Sequence, residues 1–134
     1  MPDVQSRKVP GYIFMGEFDE AYRIENLITI FETNRPEGAL WALAVDRETS
    51  HENSVPDEIV FSYFDQIVPL RLTYIIPENK IFNPKEIDET TGWLGDRETF
   101  VIASYDLYKG DKSMACWFPN EIAANEWQNF SQGL

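Results

Sequence analysis

The sequence predicts an α+β domain: a mixed sheet of about five strands with two to three packed helices, the last of them a C-terminal amphipathic helix. Three observations carry this. Apolar residues recur at the helical period in 19–34 and 121–130. Short runs rich in β-formers, closed by Gly or Pro, lie between them. These pieces follow in the order β, α, β, α, β, a loop with a short helix, β, β, α. At 134 residues the chain suits a single globular domain spanning 1–134, with residues 1–10 as a flexible N-terminal arm.

"GYIFMGEF" (11–18) reads as a short first strand that ends near Gly16. Over 19–34, Ile24, Leu27, Ile28 and Phe31 fall at i, i+3, i+4 and i+7, which predicts a helix, and Asp19 stands where an N-cap belongs. "NRPEG" (34–38) breaks the chain, and the continuous apolar run "ALWALAVD" (39–46) suits a strand covered on both faces. In 57–68, Phe61, Tyr63 and Phe64 have strand propensity. Glu58, Ser62, Asp65 and Gln66 nevertheless gather on one side of a helical wheel, with Val60, Tyr63, Phe64 and Ile67 on the other, so helix is the preferred reading. Ser54 and Asp57 have capping-box spacing, and Pro69 should stop the helix. A strand is expected at 70–76, closed by Pro77. Residues 83–92 offer an Asn cap, Pro84 at the first helical position and Gly92 as a stop, so one or two helical turns are expected in a long exposed connection. Strands at 99–108 and 113–118 follow. Then Pro119 and Asn120 introduce a helix with Ala123, Trp127 and Phe130 on one stripe.

The lone cysteine can be placed by register. A two-residue turn at Gly110-Asp111 would pair 99–108 with 113–118, setting Cys116 on one face with Leu107, Met114 and Phe118. That face is apolar, where a thiol is inert, so Cys116 reads as packing and Trp117, on the opposite face, needs cover. His51, the single histidine, lies in the polar loop "RETSHENS" with no spacing that joins it to Cys116. Zinc sites of the usual kind need more Cys and His than this, so no metal and no cofactor are implied.

Charge is the strongest compositional signal. Twenty-three Asp and Glu face eleven Lys and Arg, for a formal net charge of −12. Nucleic-acid affinity comes mainly from neutralising phosphates, so this balance argues against direct DNA or RNA binding and points instead to a basic protein partner. No apolar run is long enough to cross a bilayer, the first dozen residues lack a signal-peptide core, and one cysteine cannot close an internal disulfide; a cytoplasmic location is expected.

Two further patterns hold carboxylates. Pro56-Asp57 followed, after an apolar run, by Glu78-Asn79-Lys80 resembles the PD…(D/E)xK pattern of metal-dependent nucleases, which implies two carboxylates on a divalent ion and an assisting lysine. Pro77 interrupts the strand that should carry Glu78, and Asp57 falls at a helix start. The second pattern is the 77–98 connection, which combines Asp88, Glu89, Asp96 and Glu98 with Trp93. An aromatic anchor ringed by charge is the chemistry of protein-binding hot spots, so these five residues are the candidate partner-binding site. The expected function is stoichiometric binding to, and neutralisation of, a basic protein, in the manner of immunity proteins, nuclease inhibitors or phage anti-defence proteins. The alternatives are a metal-dependent hydrolase or nuclease and a small-ligand binder with an aromatic pocket.

Overall fold

A computed structural model of the chain describes residues 3–52, 55–72, 78 and 83–134, and the fold is α+β, as expected. The helical turn α1 (Val4–Arg7) starts on Asp3, whose carboxylate accepts the Ser6 amide. It lies within the stretch expected as an arm, and it is tied down. Arg7 donates to the Asn34 side chain, its carbonyl accepts the Leu40 amide, and the Val9 carbonyl accepts the Trp41 indole N–H.

β1 (Gly11–Gly16) and β2 (Trp41–Asp46) pair in parallel, Ile13 opposite Leu43 and Met15 opposite Val45. Parallel neighbours need a crossover. It is supplied by α2 (Ala21–Asn34), which buries Phe31 and packs Ile24, Leu27 and Ile28 against the core. Asp19 is not its N-cap: Glu20 holds that position without a side-chain bond, while Asp19 accepts the Glu20 amide and is engaged by His51. Ala42, Leu43 and Ala44 are all buried, as a strand covered on both faces requires.

α3 (Asp57–Arg71) confirms helix over strand for 57–68. It runs through Pro69 rather than stopping there. In the last turn the missing N–H removes one bond, and the Leu72 amide still closes on the Val68 carbonyl. The strand expected at 70–76 therefore begins inside a helix, and its residues 73–76 lie outside the described residues. The capping helix expected from Asn83 does not form. Residues 83–88 are irregular, and a 3-10 turn at Glu89–Thr91 is capped by Asp88, which accepts the Thr90 amide.

The largest departure is the strand that follows. β3 (Trp93–Gly95), expected as exposed loop, is the centre of an antiparallel sheet between β4 (Ile102–Ser104) and β5 (Cys116–Phe118). Trp93 faces Ser104 on one side and Phe118 on the other. The expected hairpin about Gly110-Asp111 is thus excluded, because β3 lies where its two arms would meet. Residues beyond Ser104 turn back on themselves, with the Leu107 and Tyr108 amides both donating to the Ser104 carbonyl, and Leu107 is exposed rather than facing Cys116. α4 (Glu121–Gln132) covers the arrangement. Asn120 caps it by accepting the Ala123 amide, Gly133 ends it in the left-handed conformation at φ 75°, and Trp127 is buried.

Among the described residues, the five strands therefore form two small sheets rather than one mixed sheet. The Leu43 backbone shows why. Leu40, Asp46 and their even-numbered neighbours face β1, so Leu43 presents its amide and carbonyl to the opposite edge. There the amide donates to Cys116 Sγ at 3.3 Å, and the carbonyl accepts the Trp127 indole N–H at 2.8 Å and the Cys116 thiol at 3.5 Å. β5 meets β2 through side chains, and a backbone ladder cannot form across them.

Candidate binding surface

The five residues expected to bind a partner divide between the two ends of β3. At its start, Asp88 caps the 3-10 turn and Glu89 carries an ion pair, its Oε1 2.5 Å from Arg35 Nη2. Arg35 is fully buried. Its Nε donates to the Ala115 carbonyl at 2.6 Å, Nη1 to the Ala39 carbonyl at 3.0 Å and Nη2 to the Lys112 carbonyl at 3.2 Å. Glu89 is thereby the counter-ion of a core cation. Trp93 is half-buried in the central strand. At the far end Asp96 accepts the amides of Glu98 and Thr99, both at 2.8 Å, and folds the turn that leads to β4. Those amides hold its carboxyl below the ordinary carboxylate range. Of the five, Glu98 alone is exposed with no side-chain bond among the described residues.

Cys116 is wholly buried, and burial pushes its thiol up to about 12. Trp117 is also covered: its indole N–H donates to the Glu89 carbonyl at 3.0 Å, and Gly92 lies against the ring so closely that a Cβ there would meet the indole nitrogen. His51 sits at the carboxyl ends of β1 and β2, beside a cavity of about 280 Å³ that Asp19 and Asp46 also line. A guanidinium can only donate, so Arg23 Nη1–H donates a hydrogen bond to His51 Nε2 at 2.7 Å and His51 Nδ1–H donates to Asp19 at 3.0 Å. Both ring nitrogens are occupied in fastening the 47–52 loop to the start of α2.

A feature not read from the sequence pattern lies on α3 and its C-cap, Leu72. Phe61, Phe64, Val68 and Leu72 follow at i, i+3, i+7 and i+11, and they are 64%, 56%, 44% and 52% exposed. Phe64, expected on the packed side, points out with them; Tyr63 and Ile67 are the residues that reach the core. The signal was present in the spacing of Phe61 to Phe64 and Val68, which describes a second apolar stripe beside the first. Asp57, Glu58 and Asp65 border it on the same exposed arc. Two bonds fix α3 against α4, Ser62 to Glu126 at 2.8 Å and Asn120 to Gln66 at 2.5 Å.

No protein-family model, curated protein or solved structure matches the chain. The site must be read from its own chemistry. Of the residues in the nuclease-like pattern, Asp57 is exposed at the first turn of α3, Glu78 is exposed, and Asn79 and Lys80 lie outside the described residues. Among the described residues no three His, Cys, Asp or Glu side chains converge on a point that could hold a metal ion. Several aromatic rings pack on one another in the core: Tyr12 on Phe14 and Tyr63 with centroids 4.4 and 4.9 Å apart, Phe118 on Trp127 at 5.2 Å. No helix among the described residues is long and apolar enough to cross a membrane.

Proposed function

We propose that the chain acts by stoichiometric binding to a basic protein, which it shields or blocks. One observation carries the reading: six of the chain's eleven basic side chains are held in ion pairs within it. Arg7, Lys8, Arg23, Arg35, Arg47 and Arg97 are each ion-paired within the chain, to Glu37, Glu86, Glu20, Glu89, Glu17 and Glu32 respectively. With 23 carboxylates against eleven basic side chains, the unneutralised charge is overwhelmingly negative and lies outward. Such a surface accelerates encounter with a positive partner and repels polyanions.

The test is capture followed by stoichiometry. Immobilised protein should retain a basic partner from lysate of its source, and the purified pair should sediment as a complex of fixed ratio whose association rate falls as salt rises. Retention of many basic proteins without a complex of defined ratio would reduce the surface to an ion exchanger and overturn the proposal.

A further inference from the structure

The proposed binding role leaves open which face binds and what it takes. We infer that α3 is the docking face, and that its occupant is a basic amphipathic helix on the partner, laid along Phe61, Phe64, Val68 and Leu72. The inference rests on that role and assigns it a site.

The geometry begins with the stripe. Residues at i, i+3, i+7 and i+11 make a narrow row along one side of a helix, which is how one helix is recognised by another. Two phenyl rings more than half exposed supply the large anchors that such contacts need, and Ile122 on the adjoining α4 is exposed as well. The bonds from Ser62 to Glu126 and from Asn120 to Gln66 hold the two helices together, so the face is formed before a partner arrives.

Charge selects the occupant. α3 and α4 together carry Asp57, Glu58, Asp65, Glu121 and Glu126 against a single Arg71. Arg71 is turned to the carbonyls of Lys8 and Lys85. An apolar row fringed by carboxylates complements a helix with an apolar row fringed by Lys or Arg. A second copy of this chain would set carboxylates against carboxylates, and an anionic lipid surface or a nucleic acid would be repelled by the same groups.

The experiment uses the whole chain, isotope-labelled, and two synthetic peptides: a Leu/Lys helix with amphipathic spacing, and a scrambled peptide of the same composition. The amphipathic peptide should bind more tightly, move the amide resonances of 57–72, and lose about tenfold or more of its affinity in a Phe61→Ser/Phe64→Ser double variant. Both rings are exposed, so the variant should keep the parent's near-ultraviolet dichroism and melting temperature, which verifies that the fold is intact. Equal, salt-sensitive binding of both peptides, undiminished in the variant, would overturn α3 as the face while leaving charge-driven binding standing. Binding of neither peptide would overturn both. Self-association that the double variant abolishes would assign the stripe to a second copy and overturn the partner proposed here.

Discussion

Arg35 shows how a single side chain can tie distant segments together. From its place after α2 it reaches the carbonyls of Ala39, Lys112 and Ala115 and the carboxylate of Glu89, so one guanidinium joins the start of β2, the loop before β5 and the turn before β3. A buried charge is tolerable only while its partners remain. Arg35→Met is expected to cost about 3 kcal/mol, because it orphans three carbonyls and a carboxylate. Glu89→Gln keeps the shape and loses the counter-charge, and since Glu89 is partly exposed its cost should be nearer 1 kcal/mol. Urea unfolding of the two variants checks both values, and Glu89→Gln proving the costlier change would contradict the assignment. This also reassigns Glu89 from partner to core, a reversal that no reading of "KEIDETTGW" could supply, because the cation lies 54 residues away.

Elements with a strong local period were legible, and those defined by distant pairing were not. α2, α3 and α4 announce themselves through apolar spacing, α4 also through its Asn120 cap, and β2 through its unbroken apolar run. β3 has three residues, and its existence depends on two neighbours that arrive later in the chain. Nothing local marks it except the glycines at its ends; Gly92 reads in the sequence as a helix stop, and both serve as close approaches. A Cβ on Gly92 would collide with the Trp117 indole, and one on Gly95 would lie 2.5 Å from the Trp127 ring. Gly92→Ala and Gly95→Ala are each expected to cost about 2 kcal/mol or more, seen as a lowered denaturation midpoint with an unchanged slope. The candidate site fared similarly. Carboxylates were visible in the sequence, but which of them cap turns and which face solvent was not. Asp96 accepts two amides, so Asp96→Ala should lose about 1 kcal/mol at pH 7. Its carboxyl is held below the ordinary value of 3.8, so this contribution is complete above that value and is lost as pH falls through the lower folded one. The stability gap between parent and variant should therefore close on acidification, and a gap that widened would refute the assignment.

For the whole molecule, one quantity acts in two directions. A net charge of −12 on 134 residues repels itself, which loosens the fold, and under the proposed function the same charge draws in a basic partner. Raising salt from about 0.01 M to about 1 M shortens the screening length from about 30 to about 3 Å. The melting temperature should rise over that range while affinity for the partner falls. A melting temperature that dropped instead would mean that the ion pairs of Arg23, Arg47 and Arg97 outweigh the repulsion. The edge of β2 has another consequence at this scale. Exposed strand edges are templates on which further chains can polymerise. Leu43 directs its amide and carbonyl to the edge away from β1, where a buried thiol and indole already occupy them. An incoming strand would have to extract Cys116 and Trp127 from the core before it could add there. The cysteine that invites a search for chemistry thus closes a strand edge from within.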